Sequence, residues 1–202
     1  MTGLRERKKR ETRLALSRAT IALVVERGWD EVGVEDIAAA ANVSERTFRN
    51  YFTSKAEAVA ASHLERALVV ADELRSQPAD EPFWPAVVSA VRASVSAAPA
   101  SSHDGAHMER VKLVMTHPSL HAELLRADDI AKDELAAAIA ERLGLDAERD
   151  LFPQLAASVV TAGVATAMRF WMVNDPRGSV IEVLGRVFEE IGRGLPVPEG
   201  ES

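Results

Sequence analysis

Apolar residues recur along this chain at three- and four-residue spacing, the period of a helix with one buried face. Leu14, Ile21 and Val25, with Ala15 and Ala22, make a first stripe that stops at Gly28. A glycine there suits the left-handed residue that closes many helices. Ala60, Leu64, Ala67, Ala71 and Leu74 make a second stripe, and Leu120, Leu124, Ala127, Ala131, Leu135 and Ala138 a third, ended by Gly144. Val180, Leu184, Val187 and Ile191 make a fourth. No convincing strand alternation appears, so the pattern predicts an all-α protein of about nine helices. Breakers mark the joints: three prolines between Gln77 and Pro85, the small polar stretch Pro99–Gly105, and Asn174-Asp175-Pro176-Arg177-Gly178. The tail, residues 196–202, is expected to be disordered.

One stretch carries more than a packing pattern. Val34 to Lys55 reads VEDIAAAANVSERTFRNYFTSK. A short helix would bury Val34, Ile37, Ala38 and Ala41, with Ala38 small enough for a second helix to cross it. Asn42 falls where the chain must turn, and asparagine is the non-glycine residue that best tolerates left-handed geometry. Val43 plugs the corner, and Ser44 can cap the next helix by accepting a backbone N–H bond. That helix buries Phe48 and Phe52 and turns Glu45, Arg46, Thr47, Arg49 and Asn50 outward. Arginine can bond a guanine edge twice, asparagine can pair with adenine, and threonine can touch a thymine methyl or a phosphate. The Tyr51 hydroxyl suits a phosphate. Ser54-Lys55-Ala56-Glu57 has the spacing of a capping box, which would bring Lys55 and free backbone amides beside a DNA backbone. A pair of ordinary short helices with a solvated polar face fits the same residues.

Charge distribution bears on that choice. The net charge of −7 argues against a polyanion partner taken alone. Residues 1–55, however, hold 11 Lys or Arg against 8 Asp or Glu, a balance of +3, and the remainder carries −10. The excess is concentrated in Arg5, Arg7, Lys8, Lys9, Arg10 and Arg13. A basic arm on an acidic body directs polyanions to one end of the molecule. The arm residues Arg7, Lys8, Lys9 and Arg10 are therefore DNA-contact candidates. No cysteine is present, which fits a cytoplasmic protein. Neither an apolar run near 18 residues nor a secretory leader stands out.

With these residues in view, the segment from about Arg10 to Glu57 resembles the DNA-binding domain of the TetR (tetracycline-repressor-like) family. The resemblance rests on Gly28-Trp29, the VEDIAAAANVS run, and Thr47-Phe48-Arg49-Asn50-Tyr51-Phe52 followed by Lys55. It implies recognition-helix contacts at Glu45, Arg46, Thr47 and Arg49, and phosphate contacts at Ser44, Tyr51 and Lys55. Two positions depart from the family pattern. Gly33 stands where a capping threonine is common, and Glu45 opens the recognition helix with a charge that repels phosphate. Glu45 can accept a bond from cytosine or pair with Arg46 or Arg49. The resemblance further implies a helix-turn-helix domain with its basic arm over residues 1–53 and a helical ligand-binding and dimerisation domain over 54–195.

The C-terminal part supports that division. Leu155 to Val173 is apolar on two faces, Leu155, Val159 and Ala162 on one and Val160, Gly163, Ala167 and Phe170 on another. Such a helix needs more cover than one neighbour supplies. Together with the last helix, it is expected to form a four-helix bundle with its mates in a two-fold homodimer. Candidates for an effector cavity are Trp84, Met108, Met115, Phe170 and Trp171, with Arg92, Arg110 and Arg169 as partners for an anionic group, or as side chains reaching to solvent. His117-Pro118-Ser119-Leu120 and the later ERLGLDAERD are similar to the subgroup of mycofactocin-system regulators. That likeness implies an acyl-CoA-like effector. Plain core packing fits any single one of the apolar candidates as well.

Other function classes are weakly supported. No nucleotide-binding glycine motif and no thiol nucleophile is present, so no enzyme and no cofactor is expected. His103/His107 and His117/His121 have the i, i+4 spacing of helical metal ligands, but Gly105 and Pro118 interrupt the pairs. A metal-responsive regulator, or a helical module that docks other proteins, are the alternatives to an effector-controlled repressor on a pseudo-palindromic operator.

Overall fold

The computed structural model describes residues 2–96, 111, 114, 116–174 and 178–196, with side chains from residue 7 onward. Eight helices lie among the described residues and no strand: α1 Thr2–Arg27, α2 Val34–Ala40, α3 Glu45–Arg49, α4 Lys55–Ser76, α5 Phe83–Ser96, α6 Pro118–Leu143, α7 Leu151–Asn174 and α8 Val180–Gly192. The all-α expectation holds. The chain forms two compact units, Met1–Glu65 with Ser101–Asp129, and Arg66–Ala100 with Ile130–Ser202. The expectations for Pro99–Gly105, for Asp175–Arg177 and for the tail beyond Pro196 lie outside the described residues.

The first unit is built around an apolar cluster from α1, α2, α3, the start of α4 and the start of α6. Leu16, Val24, Ile37, Phe48, Phe52 and Leu120 are fully buried in it. The buried face of α1 is only partly the expected one. Val25 faces inward as expected, together with Leu16, Ser17, Thr20, Leu23 and Val24, while Ala15 and Ala22 are exposed and Leu14 and Ile21 only half-buried. Two hydroxyl residues occupy that face, so its apolar periodicity is broken. Thr20 satisfies its hydroxyl by donating to the Leu16 carbonyl at 2.8 Å.

The ends of the helices follow their sequence signals. Gly28 has φ +99° and its N–H closes on the Val24 carbonyl. Gly144 has φ +67°, and the following Leu145 N–H reaches the Ala140 carbonyl. Proline at the first position of α6 lacks only a donor that the helix would not have used there.

The second unit packs α5, α7 and α8 with the later parts of α4 and α6, around Leu74, Val87, Val91, Ile139, Val160, Leu184 and Phe188. Gly163 lets α7 approach α8: a Cβ there would lie 3.0 Å from the Ile191 Cδ1. Arg142 of α6 holds the α4–α5 connection by donating to the carbonyls of Gln77, Pro78 and Glu81. Arg75 of α4 bonds Glu141 at 2.8 Å and Glu134 at 2.7 Å. The Arg75 hydrogen bond holds the Glu141 carboxyl below the usual carboxylate range, and the guanidinium is raised in turn.

By length and average apolarity α7 matches a helix that could cross a membrane. Gln154, Ser158, Thr161, Thr166 and Arg169 nonetheless interrupt it. Its buried residues Ala156, Ala157, Val160, Gly163 and Ala167 make it a core helix of this unit.

Candidate nucleic-acid interface

The turn between α2 and α3 is fixed by backbone geometry. Asn42 adopts φ +53°, as its place in the sequence predicts. The Val43 N–H then reaches back to the Ala38 carbonyl at 2.9 Å and the Asn42 N–H to Ala39 at 3.0 Å, which satisfies carbonyls that the end of α2 leaves free. Ala38 is buried at this corner and Val43 packs against the cluster. Ser44 caps α3, its hydroxyl accepting the Thr47 N–H at 3.1 Å and lying 2.9 Å from the Thr47 hydroxyl. Both side chains therefore sit at the start of α3, already bonded to each other.

Phe48 and Phe52 anchor α3 from below, their rings 5.6 Å apart and tilted by 49°. Arg13 of α1 lies over the Phe52 ring at 4.9 Å and pairs with Glu57 at 3.8 Å. This support leaves Glu45, Arg46, Arg49 and Asn50 exposed and Thr47 and Tyr51 half-buried. Six polar side chains in seven residues thus surround a buried aromatic anchor on a five-residue helix. Glu45 pairs with Arg49 at 3.4 Å, one of the two roles open to it on sequence grounds.

The helix starts differ in detail from expectation. Gly33 offers no hydroxyl at the start of α2, but its N–H is taken by the Asp36 carboxylate at 2.9 Å. Half of a capping box thus survives without the threonine. At α4 the Ser54 hydroxyl accepts the Glu57 N–H at 3.1 Å, as a box requires. The Glu57 carboxylate does not return to Ser54. It binds the Thr53 N–H at 2.7 Å and the Thr53 hydroxyl at 2.9 Å.

Lys55 and the arm are more engaged than the sequence suggests. The Lys55 ammonium donates to the carbonyls of Trp29 and Val32, the second at 2.9 Å, and lies 5.0 Å from the centre of the Trp29 ring. It ties the α1–α2 turn to the start of α4. The arm is part of α1 from Thr2 on. Arg10 bonds Glu65 of α4 at 2.7 and 2.9 Å, and Arg7 pairs with Glu11 at 3.5 Å. Lys8 and Lys9 are exposed. The pairings of Arg13 with Glu57 and of Arg10 with Glu65 went unread, since an ion-pair partner far along the chain leaves no local pattern.

In the second unit the effector candidates take separate places. Trp84 packs edge-on against Phe83 at 5.1 Å, beside the core. The Trp171 indole N–H donates to the Gly178 carbonyl at 2.9 Å. Arg92 and Arg169 are exposed, and Phe170 is 45% exposed. An open groove of about 640 Å³ is lined by Ala137, Ala140, Glu141, Gly144, Leu145, Asp146, Ala147 and Asp150, none of them an effector candidate. Met108, Arg110 and Met115 lie outside the described residues, as do His103 and His107. His117 is engaged with Trp29, and among the described residues no three His, Asp or Glu side chains gather as a metal site would require.

A capped turn with a left-handed asparagine, a crossing alanine and a polar second helix defines a helix-turn-helix regulator. Comparison with known proteins agrees. Residues 16–61 match the family described as bacterial regulatory proteins, tetR family, and residues 81–196 match the MftR C-terminal domain. The chain belongs to the tetR family of DNA-binding, ligand-responsive transcriptional regulators. It is 35% identical to the HTH-type transcriptional regulator TcmR of Streptomyces glaucescens, over 93% of this chain and 84% of that protein. It is 27% identical to a Mycobacterium tuberculosis (strain ATCC 25618 / H37Rv) protein, MftR, named for regulating mycofactocin biosynthesis, over 94% and 93% of the two chains. Its fold is that of a TetR-family regulator from Mesorhizobium loti (TM-score 0.57, 18% identity, 93% and 96% covered). NalD of Pseudomonas aeruginosa has the same fold (TM-score 0.55, 19% identity, 96% and 100% covered).

Proposed function

We propose that this chain is a cytoplasmic, homodimeric repressor, not an enzyme, that leaves a pseudo-palindromic operator when a small effector binds. The observation that carries the reading is the α3 surface: Arg46, Arg49 and Asn50 exposed over the buried Phe48 and Phe52. A rigid base under polar side chains lets them meet base edges without first being ordered. In this reading Arg46, Thr47, Arg49 and Asn50 face the major groove, and Ser44 and Tyr51 bond phosphates. Glu45 restrains Arg49 until DNA displaces it. Lys8 and Lys9 add phosphate contacts, with Arg7 and Arg10 held by carboxylates. Lys55 serves mainly by fixing the frame.

Two recognition helices must be about 34–36 Å apart to enter successive major grooves, which requires a dimer. The outer face of α7 supports one. Leu151, Leu155, Phe170 and Val173 are exposed there, from 45% at Phe170 to 78% at Leu151. Burying such a face removes apolar surface from water at roughly 25 cal/mol per Å². The likeness of residues 81–196 to the MftR C-terminal domain supports residues 54–195 as the effector and dimer domain, and an acyl-CoA-like effector as the first class to try.

Selection of bound duplexes from a random pool tests the reading. A two-fold site is expected, with affinity that falls steeply as salt rises. Arg46→Ala and Arg49→Ala should each relax preference at particular bases by about 1–3 kcal/mol, whereas Tyr51→Phe should weaken all sequences alike. Retention of wild-type binding by all three variants refutes the interface. Sedimentation as a monomer at micromolar concentration refutes the dimer.

A further inference from the structure

Two histidines outside the interface fasten the same helix. α6 lays Leu120 and Leu124 into the apolar cluster of the first unit. Four residues on, the next position of that face is Asp128. Its carboxylate lies 2.6 Å from Nε2 of His63 on α4, with both side chains about one-third exposed. At the other end His117 directly precedes Pro118. Its Nδ1 accepts the Ser119 N–H at 3.3 Å, and its ring stacks on Trp29 at 4.6 Å with an angle of 21°. Trp29 is the residue whose carbonyl and ring hold the Lys55 ammonium. The face of α6 is thus apolar in the middle and held by a histidine at each end.

The two kinds of contact do different work. Leucine and alanine contacts are non-directional, so they permit small slides of one helix along another. A hydrogen bond weakens steeply away from its preferred distance and angle. The His63–Asp128 bond therefore fixes the register of α6 on α4, and the Trp29–His117 stack fixes its start against the α1–α2 turn. That turn leads into the helix-turn-helix. Beyond Asp128, α6 runs on as one helix through Leu135, Ala136 and Ile139, which belong to the core of the second unit.

We propose that His63 and His117 are positioning residues that clamp α6 to the DNA-binding unit and thereby set operator affinity. The proposal rests on the operator-binding reading above. The probe is a fluorescent duplex recovered from the random pool, titrated by anisotropy at fixed salt. His63→Ala and Asp128→Ala should each raise the Kd about fivefold, in the range of ordinary coupling between sites. The double variant should be no weaker than either single one, because one bond is lost only once. His63→Gln should restore near-wild-type affinity, since its amide can donate to Asp128. His117→Ala should weaken binding independently, so that its effect multiplies that of His63→Ala. Unchanged or tighter binding in His63→Ala, multiplying effects in the His63/Asp128 double variant, or no rescue by His63→Gln overturns the clamp. If His63→Ala does not fold, Asp128→Leu, which offers no acceptor, carries the same test through weaker binding, with unchanged binding overturning it. If wild-type protein binds no duplex, the operator reading fails separately, and amide exchange decides the clamp. Faster exchange across residues 118–129 in Asp128→Leu supports it, and unchanged exchange overturns it.

Discussion

Replacing Lys55 by methionine separates a frame residue from a phosphate contact. Methionine keeps the apolar stem and removes the ammonium. The carbonyls of Trp29 and Val32 then lose a charged donor, and the Trp29 ring loses a cation 5.0 Å from its centre. A hydrogen bond to a charged group contributes about 1.5–3 kcal/mol. The site is only half-buried, so water replaces part of each bond. The expected loss is about 2 kcal/mol for the two bonds, with about 0.5 kcal/mol more from the ring. Among the three tryptophans only Trp29 belongs to the first unit, so a Trp84→Phe, Trp171→Phe background makes its fluorescence report that unit in urea. Salt dependence of duplex binding supplies the second measurement. A lost phosphate contact lowers the log–log slope by about 1, whereas a lost frame contact leaves it in place. Unfolding free energy within about 0.5 kcal/mol of the parent, with a reduced slope, refutes the frame role.

Further outcomes follow from other positions. Asn42→Val should cost about 1–2 kcal/mol because a β-branched residue is strained at φ +53°, while Asn42→Gly should stay close to wild type in chemical denaturation. Glu45→Gln removes a carboxylate from the α3 surface and frees Arg49, so non-specific duplex affinity should rise with little change in stability; a fall in affinity refutes the pairing role. Glu141 has its folded pKa depressed by Arg75, so its stabilisation is present above the ordinary carboxylate pKa and lost as pH falls through the folded value. The Tm difference between wild type and Glu141→Gln should therefore be constant above about pH 5 and shrink toward zero under stronger acid. A difference that grows on acidification contradicts the bond.

What the sequence revealed was set by whether each interaction is local. The α2–α3 turn was legible residue by residue, because Asn42, Ala38, Ser44 and the Phe48/Phe52 pair act within a few positions of one another. Each carries a residue preference strong enough to show in one chain. The buried face of α1 was only partly legible. Val25 lies on it as expected, but Ser17 and Thr20 fill core positions and Thr20 spends its polarity on its own helix, so a search for apolar spacing selects the half-buried Leu14 and Ile21 instead. The arm shows the same limit in electrostatic form. Its positive charges are plain in the sequence, yet their availability depends on Glu65, 55 residues beyond Arg10. Lys55 is the sharpest case, because backbone carbonyls at Trp29 and Val32 accept its N–H bonds and any residue type supplies a carbonyl. Basic residues near a helix-turn-helix therefore divide into two groups. Arg46, Lys8 and Lys9 occupy exposed helix positions and form no ion pair among the described residues. Arg10, Arg13 and Lys55 already hold protein groups, and their charge reaches DNA through the geometry they fix.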